Sequence, residues 1–419
     1  MGIRATGDVE QTSGKQMLDS LNSAEQGRIL ILAGCYLPIV GGCVKIVHEL
    51  AQKFVELGYT VDILTCNCTN EAQYEVVDSV NVHRLSSWNL VNGCYPVPTF
   101  SLGNISSVLS LAKNEYQCII TNTRFYPICF IGWILSRFCR TPLIHLEHGS
   151  CHTVSDSPLV SVIGRIYDHT LGSLLVRSAK INFGVSSPAV RFLNHLGAKD
   201  AKVMHNGIDL SVFENTKPVA YTKASRKTTI TYIGRLVYGK GVQDLISILP
   251  RLKGGVQLLI VGDGPYRDEL EALARQVNTS NIVFLGEQRP ENIPGILKGT
   301  DIFVNPSYSE GLPTSVLEAC AAGCAVVATD VGGTNEIILD GSTGFLVQPG
   351  DQQGLTEKIN FLLENEPLRD TLGENAKAYV TDNFSWDQIM EQWMAEMNHL
   401  ERSTVYTSSN KRVELSQDA

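Results

Sequence analysis

Two carboxylates, Glu310 and Glu318, are the side chains of this sequence whose spacing best suits chemistry on a bound ligand. Apolar runs at residues 301–304 and 324–328 flank them, and this order predicts strand, glycine-containing loop, helix and strand. Ligands of such α/β units bind at the carboxyl ends of the strands, beside helix N-termini. We therefore expect Glu310 on the strand-exit loop and Glu318 in the first helical turn to face one cleft. Two acceptors there suit a ligand rich in hydroxyl groups.

A structural role accounts for the same residues. Ser315 and Glu318 have the spacing of a capping box, in which the Glu318 carboxylate accepts a hydrogen bond from the backbone N–H of Ser315. Gly311 and Pro313 are common turn residues, and Glu310 on a loop could be a solvated charge. The pair alone leaves both interpretations open.

Glycine-bearing loops supply further candidate residues. Gly41 and Gly42 precede a helix predicted at residues 44–57, where their backbone N–H groups could approach a phosphate. The loop lacks the G-x-G-x-x-G pattern, and no acidic residue ends the second strand, so the dinucleotide-binding fingerprint is absent. A plain turn is the alternative. A similar strand-to-helix loop contains Gly262, a pattern common in α/β proteins.

Two cations occupy the loop at residues 234–241. Arg235 and Lys240 are the only basic residues between Lys227 and Arg251, and both come just before a predicted helix start. Two cations together with helix N–H groups could clamp a diphosphate. The alternative is a pair of solvated loop charges.

Composition narrows the class of protein. With 419 residues the chain is too long for one core, and 43% hydrophobic and 18% charged residues are typical of a globular protein. The net charge of −9 argues against a nucleic-acid partner. Eleven cysteines without paired metal-binding spacing predict no metal site and a reducing compartment, so we expect a cytoplasmic protein.

Strand and helix patterns alternate along most of the chain, which predicts parallel sheets with right-handed crossovers. The expected architecture is α/β, with two doubly wound Rossmann-like parallel-sheet domains facing a central cleft. We expect, in order, a disordered leader (1–27), an amino-terminal domain (28–212), a linker (213–228), a carboxyl-terminal domain (229–383), a terminal helix packing back on the first domain (384–401) and a disordered tail (402–419).

An apolar stretch at residues 125–136 is too short to span a bilayer. It is flanked by Arg124, Arg137 and Arg140. The stretch fits a buried helix or a helix in shallow, peripheral contact with a membrane surface.

Four motifs in order, GRLVYGKG, VGDGP, SEGLPTSVLEACAAGCAVVATDVGGTNEII and GSTGFLVQPGD, resemble the retaining glycosyltransferases of family 4, which have the GT-B fold. The likeness is continuous from about residue 229 to 352. The amino-terminal half matches at fewer points, among them the Gly41-Gly42 loop and Glu147-His148-Gly149.

The resemblance implies roles for individual residues. Arg235 and Lys240 would hold the donor diphosphate and its leaving charge, Glu310 the hydroxyls of the transferred sugar, and Glu318 the ribose. His148 would contact the donor sugar from the other domain, where Gly42 would close the cleft on the phosphates. The family's catalytic residues would then correspond to Glu310, His148, Arg235 and Lys240. The implied donor-binding residues are Gly41, Gly42, Arg235, Lys240, Gly262, Glu310, Gly311, Leu312, Pro313, Thr314 and Glu318.

The implied reaction moves a sugar from a nucleotide-diphosphate donor, for which we expect a UDP-sugar, to a glycan or lipid-linked acceptor, with retention of configuration. Polysaccharide biosynthesis is the expected context, and no cofactor is implied. Sugar transferases of the other common fold use a D-x-D metal site, and this sequence has no D-x-D. We therefore predict a metal-independent enzyme. The alternatives are a non-catalytic nucleotide-sugar-binding protein of the same fold and a nicotinamide-dependent oxidoreductase.

Overall fold

A computed structural model describes residues 26–39, 41–90, 95–152, 158–219, 227–277 and 281–417. The predicted leader lies outside these residues except for positions 26 and 27. Among the helices that the structure describes, none is both long enough and apolar enough to cross a membrane.

The amino-terminal domain is built on a nine-stranded sheet in the order β3-β4-β2-β1-β6-β7-β8-β9, with β5 paired to β4. Strands β3 and β5 run antiparallel to β4, and the other neighbours are parallel. Residues of β1, β6 and β7 are almost all buried, as expected for strands covered on both faces. The strands are β1 Arg28–Ala33, β2 Thr60–Asn67, β3 Tyr74–Val77, β4 Val80–Leu90, β5 Tyr95–Pro98, β6 Cys118–Asn122, β7 Leu143–Glu147, β8 Ile181–Gly184 and β9 Lys202–Val203.

Helices cover both faces of this sheet. On one face, helix α1 buries Val44, Val47, Leu50 and Phe54, which recur at helical spacing. A π-helical segment, Asp168–Gly172, joins α4 to α5. The helices are α1 Gly42–Glu56, α2 Leu102–Leu111, α3 Ile128–Cys139, α4 Pro158–Tyr167, α5 Ser173–Ser178, α6 Ser187–His195 and α7 Ser211–Glu214.

The carboxyl-terminal domain contains a six-stranded parallel sheet in the order β12-β11-β10-β13-β14-β15. Its strands are β10 Thr228–Ile233, β11 Val256–Val261, β12 Ile282–Gly286, β13 Ile302–Asn305, β14 Ala325–Thr329 and β15 Phe345–Val347. Its helices are α8 Val242–Ile248, α9 Arg267–Gln276, α10 Ile293–Lys298, α11 Thr314–Ala322, α12 Thr334–Ile337, α13 Gln352–Leu363 and α14 Glu366–Phe384, with 3₁₀ turns at Tyr238–Lys240, Leu249–Arg251 and Pro290–Asn292. The predicted pair of doubly wound parallel-sheet domains is confirmed.

The last helix, α15 (Trp386–Gln417), packs on the amino-terminal domain. The Trp393 ring makes edge-to-face contacts with Phe54 and Phe183, with centroids 5.8 and 4.9 Å away. The indole Nε1 of Trp386 donates to Glu49 Oε2 at 2.9 Å. The helix is described as far as Gln417, and the disordered tail predicted for 402–419 stays a prediction.

The chain passes between the domains at two places that lie side by side. Ile208, on the first passage, forms an isolated parallel bridge with Ser385 on the second. The backbone N–H of Ile208 donates to the carbonyl of Phe384 at 2.8 Å. Gly207 lies so close to the Trp386 ring that a side chain there would overlap it.

Candidate active site

Glu310 lies on the loop after β13, and its carboxylate accepts hydrogen bonds from its own loop and from a neighbouring loop. Its Oε1 accepts from Lys240 Nζ and from Ser307 Oγ, both at 2.7 Å, with Asn305 Nδ2 at 3.5 Å. Lys240 comes from the loop after β10, which is the neighbour of β13 in the sheet. Parallel strands end at the same edge, so the two loops meet there. The structure thus brings together the predicted carboxylate and one of the two predicted cations.

Glycine conformations hold these loops close together. Gly241, directly after Lys240, has φ of 68°, a left-handed conformation that glycine adopts without strain, and it lies against the carbonyl of Pro306. The N–H of Tyr308 donates to the carbonyl of Gly239 at 2.8 Å. Gly262 has φ of 127° and packs against the carbonyl of Gly234, which brings the loop after β11 beside the same edge.

Arg235 is exposed at the start of the loop that carries Lys240. Its backbone carbonyl accepts a hydrogen bond from the hydroxyl of Tyr232 at 3.1 Å. Burial raises the pKa of Tyr232, with a further contribution from the Glu310 charge, so this hydroxyl stays protonated and donates. The backbone of Arg235 is therefore held in place, while the residue is exposed to solvent at the start of the loop.

Glu318 is the fifth residue of α11, and the expected position in the first turn is wrong. Helix α11 begins at Thr314, and the cap residue Pro313 has φ of −71° and makes no side-chain cap. The capping box between Ser315 and Glu318 is therefore not formed, because the helix begins at Thr314, two residues earlier than a Ser315 cap would require. The Glu318 carboxylate instead accepts a hydrogen bond from Lys45 Nζ on α1 of the other domain.

Lys45 is a site residue that the sequence interpretation missed. Burial acts to lower the pKa of Lys45, but the carboxylates of Glu318 and Glu49 outweigh burial and raise it. Lys45 Nζ lies 3.7 Å from Glu49 Oε1, one helical turn away. A lysine in the first turn of a helix is unfavourable for the helix dipole, and this was the available signal that Lys45 has a role outside its own helix.

Two helix N-termini face each other across the domain boundary. Gly42 is the first residue of α1, and a side chain there would overlap the Oγ1 of Thr314, the first residue of α11. Each N-terminus carries unpaired N–H groups and the positive end of a helix dipole. Their convergence at Gly41, Gly42, Pro313 and Thr314 favours an anionic ligand.

His148 follows β7 and approaches the Glu310 loop from the amino-terminal domain. Its backbone carbonyl packs so tightly on Gly311 that only glycine fits there. Within the described part of the chain, His148 Nε2 is buried without a hydrogen-bond partner. Burial acts to lower the pKa of His148, but Cys43 and Glu147 outweigh it and raise the pKa. A buried unpaired nitrogen of this kind is available to a ligand hydroxyl.

A buried ion-pair network fixes the loop that carries His148. Glu147, fully buried, lies 2.9 Å from Arg124 Nη1 and accepts from the N–H of Gly149 at 2.7 Å. Burial acts to raise the pKa of Glu147, but Arg124 and His145 outweigh it and hold that pKa well below its ordinary range. The sequence interpretation did not identify Arg124 or Glu147 as supports of the site.

The domains are in direct contact around these residues. Ser150 Oγ donates to the carbonyl of Glu310 at 2.6 Å, and Ser186 Oγ donates to that of Gly311 at 3.1 Å. Glu336 of the second domain accepts from the N–H of Ser187 at 2.7 Å and pairs with His205 Nε2 at 2.8 Å. Leu312 is buried beside this contact.

The cleft is closed at the predicted ribose position. Only about 10 Å³ is free beside Lys45, Thr314 and Glu318, roughly the volume that one water molecule needs. A sugar ring does not fit without a separation of the domains.

Family comparisons cover nearly all of the two domains. Residues 40–212 match the model described as glycosyltransferase family 4, and residues 213–379 match the model described as glycosyl transferases group 1. An uncharacterized glycosyltransferase of Methanocaldococcus jannaschii is 29% identical over 381 residues, which covers 87% of this chain and 97% of that relative. A glycogen synthase of Mycobacterium tuberculosis is 26% identical over 86% of this chain and 92% of its own length.

Solved structures show that the architecture is the GT-B fold. Sucrose-phosphate synthase from Thermosynechococcus elongatus aligns with a TM-score of 0.75 at 22% identity and covers 90% of this chain and 100% of its own. Anabaena HepE in complex with UDP-glucose aligns with a TM-score of 0.71 at 21% identity, over 89% and 99% of the two chains. The predicted likeness to the family and the predicted GT-B fold are both confirmed.

Proposed function

Because this chain belongs to glycosyltransferase family 4, we propose that it is a hexosyltransferase that moves the sugar of a UDP-sugar to a glycan or lipid-linked acceptor. Transfer retains the anomeric configuration and needs no metal ion. The observation that carries this proposal is the convergence of two helix N-termini with Lys240 and Glu310 at one edge of the donor-domain sheet. That arrangement suits a ligand that combines a diphosphate with hydroxyl groups.

The diphosphate is assigned to the positive side of the site. The N-termini of α1 and α11 supply N–H donors, and Lys240 and Arg235 supply formal charge. When the bond between the sugar and the diphosphate breaks, negative charge grows on the leaving phosphate, and fixed cations stabilise it without reorganisation. These groups take the place of a metal ion in the proposed reaction.

The two carboxylates bind the remaining parts of the donor, which are the transferred sugar and the ribose. Glu310 binds sugar hydroxyls near the reacting carbon, where its charge also stabilises the positive charge that develops in the transition state. Glu318 binds the ribose hydroxyls after it is released from Lys45. His148 Nε2 offers a partner to a sugar hydroxyl from the opposite domain. UDP-glucose bound to the similar protein HepE supports the choice of donor.

We assign acceptor binding to the amino-terminal domain. We place this domain against the cytoplasmic surface of a membrane. Helices α2 and α3 share one buried cluster on one face of the first sheet, and Tyr167 of α4 contacts Phe130 of α3. Their outer sides carry exposed apolar residues among exposed arginines, a combination that favours peripheral contact with anionic lipid. The exposed residues are Leu102, Ile105, Leu109, Ile134, Phe138, Val162, Ile163, Ile166, Arg137, Arg140 and Arg165.

A nucleotide panel tests the donor assignment. Calorimetric titration with UDP, GDP, ADP and NADH should show tight binding of UDP and none of NADH. Binding of NADH with no binding of UDP would support the oxidoreductase alternative and overturn the proposal. A variant Glu318→Ala should weaken UDP binding roughly tenfold, the loss expected for one charged hydrogen bond to the ribose.

Turnover then tests the activity itself. With the preferred UDP-sugar and a mixture of lipid-linked glycans, the product linkage read by NMR should have the anomeric configuration of the donor. Addition of Mg²⁺ or Mn²⁺ after chelation should not raise the rate, and a strict requirement for either ion would refute the cation assignment. Donor binding with no transfer to any acceptor would favour the non-catalytic sugar-nucleotide-binding protein.

A further inference from the structure

Three histidines from separate parts of the amino-terminal domain meet at its surface. His152 follows the loop after β7, His169 lies in the π-helical segment, and His195 ends α6. One ring nitrogen of each lies within 4.8 Å of those of the other two. The ring centroids are 5.2, 5.9 and 5.4 Å apart. We propose that His152, His169 and His195 form a binding site for a zinc ion, separate from the donor site.

A buried carboxylate orients one of these rings. His152 Nδ1 lies 2.7 Å from Asp168 Oδ2, so this nitrogen carries the proton that is donated to the carboxylate. The Nε2 of His152 is then the nitrogen left for a metal ion. A carboxylate that fixes the tautomer and orientation of a ligating histidine is the usual outer support of zinc sites.

The charge balance around Asp168 favours a cation at this position. Asp168 and Glu147 are both fully buried, and the single guanidinium of Arg124 pairs with both of them, at 2.9 Å in each case. Glu147 has a further partner in His145 Nε2, at 3.4 Å, and Asp168 has one in His152 Nδ1, at 2.7 Å. A zinc ion on His152 would supply positive charge next to Asp168 and reduce the cost of burying that carboxylate.

The chemical type of the three ligands determines which metal ion this site prefers. Three neutral imidazoles suit zinc and other late transition metals, whereas Mg²⁺ and Ca²⁺ prefer oxygen ligands. His169 and His195 are exposed, so the ion can enter from solvent and keep a water molecule as its fourth ligand. The sequence showed no such site because the three histidines are far apart along the chain.

The site would connect to the donor cleft through one short loop. Residues 148–152 run from His148 to His152, and Ser150 between them donates to the Glu310 carbonyl of the other domain. An ion that ties His152 to the π-helical segment and to α6 would fix this loop. We therefore assign the zinc ion a structural, loop-fixing role rather than a role in bond breaking.

Equilibrium dialysis of the tag-free full chain against Zn²⁺, followed by elemental analysis, tests the proposal. We expect one zinc ion per chain with micromolar or tighter affinity, and no uptake of Mg²⁺. Co²⁺ should give the visible absorption of a tetrahedral site. His169→Ala and His195→Ala should each weaken zinc binding at least roughly tenfold, whereas His399→Ala, an exposed histidine on α15, should leave it unchanged.

Two results would overturn the proposal. One is zinc binding only at millimolar concentration, which would be adventitious binding to surface histidines. The other is unchanged affinity in both His169→Ala and His195→Ala. Both histidines are exposed, and thermal unfolding of each variant without zinc will verify that the fold is retained. Because metal content is measured directly, these results are independent of whether the protein transfers a sugar.

Discussion

Replacement of Glu310 by glutamine tests the central role assignment at almost constant size. The variant keeps a carbonyl oxygen that can accept from Ser307, but it removes the negative charge that faces Lys240 at 2.7 Å. We expect Glu310→Gln to abolish most of the transfer and to leave UDP binding nearly intact. The reason is that Glu310 is assigned to the sugar, whereas the nucleotide is assigned to Glu318, the helix N-termini, Lys240 and Arg235.

The size of the effect follows from the contacts. A hydrogen bond to a charged group contributes about 1.5–3 kcal/mol, and a group that stabilises charge mainly in the transition state contributes about 2.7–4 kcal/mol. The second value corresponds to a fall in kcat of about 10²–10³. Lys240 is 29% exposed, so water can solvate it after the charge is lost, and we expect no large change in stability.

The assay combines initial rates of UDP release at saturating donor and acceptor with calorimetric titration of UDP. Glu364→Gln is a matched control, because Glu364 forms an exposed ion pair with Lys253 at 2.8 Å that has no place in the site. Full activity of Glu310→Gln would refute the assignment to the sugar. A loss of UDP binding as large as the loss of kcat would show that Glu310 binds the nucleotide rather than the sugar.

Three further predictions concern neighbouring groups. Lys240→Ala should weaken UDP binding and sugar transfer together, each by about tenfold or more. The same two assays measure both effects, and a loss of transfer alone would contradict a diphosphate role. Lys45→Ala should tighten UDP binding several-fold in calorimetry, because Glu318 no longer has to leave a lysine to meet the ribose, and weaker binding would show that Lys45 itself holds the donor. Because the folded-state pKa of Glu147 is depressed, its contribution to stability should be complete above its ordinary pKa of 4.5 and should be lost as pH falls toward the folded value. Urea unfolding between pH 7 and pH 3 should show a larger acid loss of stability in the wild type than in Glu147→Gln.

Much of the fold could be predicted because strand and helix periodicities alternate cleanly. The edge strands β3 and β5 do not follow that alternation, since each has four residues and depends on antiparallel pairing with β4 rather than on its own pattern. Strand β4 runs as far as Leu90, because β5 pairs with its second half.

The site was predictable where it depends on one domain. Lys240 and Glu310 both follow strands, and a parallel sheet brings such loops to one edge whatever the chain order. Lys45 could not be predicted as the partner of Glu318, because that contact depends on how two domains dock. The predicted capping box is absent for a local reason, since the helix begins at Thr314, before Ser315.

We expect the paired passages at Ile208 and Ser385 to determine how a donor enters the cleft. Because the two connections are hydrogen-bonded to each other, we expect the domains to rotate about them as one pivot when a donor enters. In such a rotation the displacement grows with distance from the pivot. The domain surfaces would therefore separate most at the side of the cleft farthest from it. The carboxyl-terminal helix begins at Trp386, directly beside this expected pivot.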